Sequence, residues 1–250
     1  MNWLKAEPRG GGSCRFGTWV KIPALETVEM LGHAGFDFIV IDMEHAPHSL
    51  QTAYQAIVQA QAAGMAALVR MPEHSASLAQ KLLDAGADGL LIPRVESAAA
   101  ARRALHGMCF PPEGGRGMGY TSRAARWGAD SVASYLERGR TGITRIAQLE
   151  DTGVIAEVED VCAAPGLDGL FIGFGDLMLS TGLARTDPVI LQLEQSVLAA
   201  GAAHGLPVGT AVQSPTEALA CREAGYGFVM ISADTTIFSQ GARAIMAGLR

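Results

Sequence analysis

Lysine is nearly missing from this chain of 250 residues: Lys5, Lys21 and Lys81 are the whole complement. Imine chemistry needs a lysine amine placed against a reacting carbon. Lys81 falls inside a helical stretch, and Lys21 lies close to a proline in what reads as a loop, so a Schiff-base mechanism is not expected. Cysteine is also sparse. Cys14, Cys109, Cys162 and Cys221 stand far apart with no CxxC, which reads as reduced thiols of a cytosolic protein and not as a disulfide frame or a zinc site. There is no basic block, and the formal charge is −6. That excludes an electrostatic nucleic-acid footprint. No run approaches the ~20 apolar residues of a membrane span, and the first residues, MNWLKAEPRGGGSC, lack the apolar core of a signal peptide. A cytoplasmic protein with no membrane partner is expected. No GxGxxG or GxxxxGK[ST] follows a strand in the right context, which leaves out nicotinamide, flavin and ATP.

What is present is a large apolar fraction, 49%, against 18% charged residues, which excludes disorder. The length suits one (β/α)8 barrel, typically ~250 residues. Eight short apolar runs read as strands: Arg15 to Val20, Phe38 to Asp42, Ala66 to Arg70, Gly89 to Ile92, Arg145 to Glu150, Gly169 to Ile172, Pro207 to Val212 and Gly227 to Ile231. Continuous apolar runs are what parallel strands buried on both faces require. Ala-rich amphipathic stretches lie between them, such as Ser49 to Gln61, Ala76 to Asp84 and Pro188 to His204. The alternation predicts an α/β fold, a single-domain TIM barrel over residues 1–250, with residues 1–14 as a flexible N-terminal segment. HAGFDFIVID, DAGADGLLIP and EAGYGFVMIS repeat one device, a helix ending in Ala-Gly before a strand. Gly35, Gly86 and Gly225 there fit the left-handed position that ends a helix. The stretch from Pro93 to Thr144 breaks the rhythm and reads as an ordered active-site loop followed by a helix near Asp130 to Arg138.

Barrel chemistry collects at the C-terminal ends of strands. The predicted strands end there in Asp42 (followed by Glu44 and His45), Arg70, Gln148 with Glu150, and the turn Gly173-Phe174-Gly175-Asp176. Glu150 and Asp176 are carboxylates on adjacent strand ends. Such a pair repels unless a cation sits between them, and a hard divalent ion with oxygen ligands suits it. The plain alternative is a helix cap for Asp176 and a surface ion pair for Glu150. Arg70 points either into the barrel mouth, where its planar fork would bind a carboxylate or an enolate oxygen, or to a surface ion pair. Asp42 and His45, three apart, either orient an imidazole or form a capped turn with a solvated histidine. His33, His74, His106 and His204 read as structural, and His48 is left open by its closeness to His45.

The stretches FDFIVIDMEHAPHSL, VRMP, GADGLLIPRVES, FPPEGGRGMG, RAARWG, QLED, GLDGLFIGFGDL and ADTT, in this order over about Gly17 to Phe238, resemble the HpcH/HpaI aldolases. These are metal-dependent class II aldolases acting on 2-keto-3-deoxy and related 4-hydroxy-2-oxo acids. The resemblance implies a (β/α)8 barrel assembled as a homo-hexamer, a dimer of trimers that swaps its last helix. It implies Glu150 and Asp176 as ligands of Mg²⁺ or Mn²⁺, with Co²⁺ a further candidate. It implies Arg70 as the enolate-stabilising group, Asp42 and His45 as a dyad, Gln148 in the substrate site, and Asp84 reaching a neighbouring subunit's site. Gly173, Phe174 and Gly175 would meet the substrate carboxylate. Three departures bear on specificity: Phe174 stands where the family commonly has proline, Met178 where it has serine, and the stretch after Thr181, Gly182 to Pro188, is shorter than in many relatives. The implied partners are pyruvate and an aldehyde, whose carboxylate would meet Arg116 or Arg123. A CoA-thioester lyase of the same superfamily is a lesser alternative because no CoA-holding segment is evident, and a non-catalytic sugar-acid-binding barrel is another.

Overall fold

The computed structural model describes residues 2–5 and 14–249. The chain alternates strands and helices: β1 (Arg15–Val20), α1 (Leu25–His33), β2 (Phe38–Asp42), α2 (Leu50–Ala62), β3 (Ala66–Arg70), α3 (Ala76–Asp84), β4 (Gly89–Ile92) and α4 (Ala98–His106). It continues with α5 (Val132–Thr141), β5 (Thr144–Leu149), α6 (Thr152–Ala156), α7 (Val158–Cys162), β6 (Gly169–Ile172), α8 (Phe174–Thr181) and α9 (Pro188–His204). The last elements are β7 (Val208–Val212), α10 (Pro215–Glu223), β8 (Phe228–Ala233) and α11 (Asp234–Ala247). All eight strands are parallel and close in sequence order. β8 returns to β1 with Arg15 opposite Phe228. Every residue of β2 is buried, as expected of a strand walled by helices on one side and filled by side chains on the other. The helices start where sequence permits a cap: Ser49, Ser75, Ser97 and Ser214 each accept a backbone N–H of their helix's first turn. Gly35, Gly86 and Gly225 adopt φ of +93°, +89° and +96°, the predicted left-handed stops.

Two packed layers separate stability from chemistry. The outer layer lies between strands and helices and holds most of the aliphatic core. The inner cluster fills the barrel's axis with Phe38, Leu68, Phe171, Phe228 and Met230. Gly17 is needed because a Cβ there would meet the Phe38 ring at 2.5 Å. Trp3 also enters this cluster, its ring centroid 4.7 Å from that of Phe38. Asn2 ties the segment down through the Ile143 carbonyl and the Thr144 hydroxyl. The expectation of a flexible segment over 1–14 falls mainly on residues outside the description; of the described ones, Asn2 and Trp3 are buried against the barrel. With aromatic side chains filling the axis, polar groups are left for the C-terminal mouth.

The stretch between β4 and β5 also departs from expectation. Its helix is α5, somewhat later than predicted, preceded by a 3-10 turn at Arg123–Gly128. It does not overhang the mouth of its own barrel. Arg116 pairs with Asp84 at 2.8 Å, and Arg123 bonds the Ala85 carbonyl and Gln61 Oε1. Asp84 and Ala85 end α3, so these contacts fix the segment at the opposite, N-terminal end of the barrel. Arg145, at the start of β5, donates to the Gly139 carbonyl from below at 2.7 Å. The loop reads as functional from its length and residue types, but its direction is set by helix α4, which carries the chain down before the loop begins. Among the described residues no helix is long and apolar enough to cross a membrane.

Candidate active site

β2 delivers Asp42 to the mouth, and the carboxylate folds the chain back on itself. Its Oδ1 accepts the backbone N–H groups of Glu44 and His45 at 3.1 and 3.0 Å. Aspartate bonds its own chain in this way at turns. The same carboxylate receives Arg70 from the end of β3, Nε to Oδ1 at 3.0 Å and Nη2 to Oδ2 at 2.7 Å. A side-on guanidinium of this kind gives two parallel charge-assisted bonds. Lys21 adds a third cationic contact, Nζ to Oδ2 at 3.1 Å. Asp42 is fully buried. Burial pushes its pKa up, but the Arg70 hydrogen bonds and charge outweigh it, and the group is held at about 2. Arg70 is fixed from two more sides: Nη1 lies 3.3 Å from Glu44 Oε2, and the guanidinium sits 4.2 Å from the centroid of the Trp19 ring.

Where a dyad with His45 is expected, the Asp42 carboxylate meets His45 at its backbone N–H and gives its other contacts to Arg70 and Lys21. The ring of His45 is half-exposed at the mouth, with Nε2 3.8 Å from Glu44 Oε2. His48 is buried and turned toward Thr52, Nδ1 to Oγ1 at 3.3 Å.

Across the mouth, β5 carries Gln148 and, one residue past its end, Glu150. Gln148 Nε2 donates to Glu150 Oε2 at 2.5 Å, and the Arg94 backbone N–H donates to Oε1 at 2.8 Å. Burial raises the Glu150 pKa, the Gln148 bond opposes this, and the charges of Asp176 and Glu44 raise it further. Asp176 stands in the first turn of α8 and is solvent-exposed. Gly173, just before α8, leaves the space these groups occupy: a Cβ there would come within 2.9 Å of Glu150 Oε2 and 3.2 Å of Gln148 Nε2.

The donor chemistry fits a hard divalent ion. Glu150 and Asp176 are two carboxylates whose mutual repulsion a cation would relieve, and Gln148 Oε1 is buried with no partner. Among the described residues no group of three or more His, Cys, Asp or Glu side chains is arranged for a metal. The remaining positions would therefore fall to water or substrate, as Mg²⁺ commonly accepts.

The two halves face one cavity of about 830 Å³, lined by Trp19, Lys21, Arg70, Gln148, Gly173 and Asp176 among others. Phe174 begins α8 with its own side chain in the outer core, under the guanidinium of Arg185 at 3.7 Å. Gly175 and Met178 also line the cavity. Asp84, Arg116 and Arg123 do not reach the mouth of their own barrel. The assignment of Arg116 or Arg123 to the aldehyde carboxylate is corrected on this ground within the chain. Sequence reasoning missed Trp19, Lys21 and Arg94, and passed over Glu44 although it borders His45. Lys21 follows the last residue of β1, so the reading that found Arg70 at a strand end would have found it too. The proline nearby and the backbone turn it marks hid the strand-end position. Asp234 is the hidden support: its buried carboxylate accepts the N–H groups of Lys21 and Ile22.

Known proteins share this architecture. The family described as HpcH/HpaI aldolase/citrate lyase matches residues 15–241. A 5-keto-4-deoxy-D-glucarate aldolase of Salmonella arizonae is 34% identical, over 92% of this chain and 90% of its own. A 2-dehydro-3,6-dideoxy-6-sulfogluconate aldolase of Pseudomonas putida is 30% identical, over 95% and 93%. The crystal structure of an HpcH/HpaI aldolase/citrate lyase family protein from Burkholderia cenocepacia superposes with a TM-score of 0.88 at 33% identity, over 97% of this chain and 96% of that one.

Proposed function

The chain belongs to the HpcH/HpaI aldolase/citrate lyase family, and we propose that it is a divalent-metal-dependent class II aldolase. It cleaves a 2-keto-3-deoxy (4-hydroxy-2-oxo) acid reversibly to pyruvate and an aldehyde, a carbon–carbon lyase activity that fits the sugar-acid aldolases among its relatives. The observation that carries the reading is a clamped cationic fork, Arg70, that shares one cavity with Asp176 and Gln148, the latter bonded to the buried Glu150 behind it. The site's glutamine, its glycine turn and its free histidine have consistent roles around these groups.

Glu150 and Asp176 would hold Mg²⁺ or Mn²⁺, with Co²⁺ a further candidate. When bound, the ion supplies Lewis-acid polarisation of the 2-keto oxygen and takes up enolate charge. Gln148 and the amides of Phe174 and Gly175 bind the substrate carboxylate, as amides at the start of a helix suit an anion, while Gly173, whose own N–H is held by the Leu149 carbonyl, leaves room for it. Arg70 donates to the enolate oxygen, its fork prealigned by Asp42 and Trp19 so that little reorganisation accompanies the charge. His45 takes the 4-hydroxyl proton through a water. The C3–C4 bonding pair then passes to C3 as the pyruvate enolate, and C4 leaves as the aldehyde carbon. Asp42 serves this reaction through Arg70. Asp84, at the far end of its own barrel, acts at the mouth of a neighbouring subunit.

The assembly that would bring Asp84 there is a homo-hexamer, a dimer of trimers exchanging the last helix. Two features support it. α11 exposes Phe238 (73%), Ile245 (70%) and Leu249 at its end (75%). An apolar groove of about 250 Å³ lies open between α1 and α10, lined by Phe16, Phe36, Leu219 and Ile231. An amphipathic helix from another copy suits such a groove. We place the enzyme in the cytoplasm with its metabolic relatives.

The test is direct. Metal-loaded protein incubated with pyruvate and glycolaldehyde, glyceraldehyde, tartronate semialdehyde or succinate semialdehyde should yield 4-hydroxy-2-oxo acids by mass spectrometry. No product with any aldehyde, alongside cleavage of a malyl-type CoA thioester, would replace the aldolase reading.

A further inference from the structure

Among the described residues Lys21 is the lysine that lines the mouth, and the reaction as derived leaves it without a task. It lines the cavity, and its side chain is 29% exposed. Its position is built: the buried Asp234 carboxylate grips the Lys21 and Ile22 N–H groups, fixing the backbone where β1 ends. Among the described residues its ammonium is paired with Asp42 Oδ2 at 3.1 Å. An ammonium has three N–H donors, so two are left for the cavity. Around it, Lys21, Arg70 and Arg94 meet the carboxylates of Asp42 and Glu44, with Asp234 as a third behind the backbone, so Lys21 is a charge held at this wall with donors to spare.

The strand order gives this charge a direction. The keto-acid end of the substrate is placed at β5 and β6, and β1 stands on the opposite side of the closed ring. The enolate partner Arg70 ends β3 and the proton acceptor His45 follows β2. Lys21, ending β1, is next in that order, where the carbons beyond C4 would run. The other cations offer less. Arg185 lines the cavity but is taken by Glu194 at 2.6 Å and stacked on Phe174. Arg116 and Arg123 lie beside Asp84 at the far end of the barrel and do not reach the mouth of their own chain, whereas Lys21 is fixed in it.

We propose that Lys21 is a specificity-determining residue that binds a terminal anion, carboxylate or sulfonate, on the aldehyde half of the substrate. This deepens the aldolase reading and rests on it. It assigns the site to acids charged at both ends, with aldehydes bearing an acidic group as the favoured products.

The experiment compares acceptors in the condensation direction with pyruvate: succinate semialdehyde and 3-sulfopropanal against neutral propanal. Lys21→Met should lose about ten- to a hundredfold more kcat/KM on the anionic acceptors than on propanal, the scale of a lost hydrogen bond to a charged group. Lys21→Arg should recover most of that difference. Pyruvate proton exchange, followed by NMR, should fall no further than propanal condensation does. A loss on only one anionic acceptor tells carboxylate from sulfonate and still supports the assignment. Equal losses on all acceptors together with lost exchange would mean that Lys21 only sets Asp42 and Arg70, and would overturn it. So would wild-type selectivity in Lys21→Met. A thermal melt reports folding, and Lys21→Gln stands in if the methionine variant fails to fold. If the wild type itself condenses pyruvate with no aldehyde, the aldolase reading has failed, and this inference with it.

Discussion

Asp42 and Arg70 form a closed pair at the mouth of the barrel, two hydrogen bonds of 3.0 and 2.7 Å between groups that are both buried. The aspartate is thereby a positioning residue for the arginine. Asp42→Asn should resemble Arg70→Ala, with pyruvate proton exchange and aldol cleavage falling together. Removing one oxyanion donor costs ~10²-fold or more in turnover. Arg70→Lys should not restore it, because an ammonium cannot match the fork geometry. If Asp42→Asn kept normal exchange and lost only cleavage, Asp42 would belong to His45 after all.

His45 should separate the two reactions. His45→Ala should lower cleavage by ~10²–10⁴-fold, the range for a positioned acid or base. Exchange should fall much less, since the enolate forms without the 4-hydroxyl. NMR exchange and a coupled pyruvate assay on one preparation measure both. Equal losses would place His45 on the enolate side.

Metal removal should abolish activity, and Mg²⁺ or Mn²⁺ should restore it. Glu150→Gln or Asp176→Asn should weaken ion binding in calorimetry, independent of turnover, because each removes a charged oxygen ligand. Borohydride with pyruvate should trap no adduct. A pyruvyl mass on Lys21 would point to imine chemistry instead.

Acid should test the Asp42 clamp through stability. A carboxyl held at about 2 against an ordinary 3.8 stabilises the fold when ionised. That contribution, about 2 kcal/mol from the difference in pKa, is present above about pH 4 and is lost as pH falls through 2. Urea unfolding from pH 5 downward should show the wild type losing more stability than Asp42→Asn. Parallel curves would mean that the clamp adds no net stability.

Phe238→Glu or Ile245→Glu should break the assembly if α11 is exchanged between copies, because a charge would enter an apolar groove. Light scattering should report smaller species, and activity should drop where Asp84 of a neighbour is lost. An unchanged hexamer would rule out the exchange.

The strands and their order were legible because burial on both faces leaves a continuous apolar signature, and the glycines after Ala34, Ala85 and Ala224 mark chain reversals that only a left-handed residue makes easily. The strand-end rule then placed Asp42, Arg70, Gln148 and Glu150 on one rim, since parallel strands of similar length end at the same level. Pairing was another matter. Asp42 is three residues from His45 and twenty-eight from Arg70, yet it clasps the arginine, because adjacent parallel strands bring Asp42 and Arg70 into register. Local spacing offers His45 only a backbone amide. The direction of the loop between β4 and β5, and with it Arg116 and Arg123, followed from the path of α4 and not from composition. Lys21 entered the site because β1 closes the ring beside β2 and the distant Asp234 holds its backbone. Periodicity and turn chemistry act over a few residues and so can be read along the chain, whereas the partner of a charge is set by the closure of the barrel.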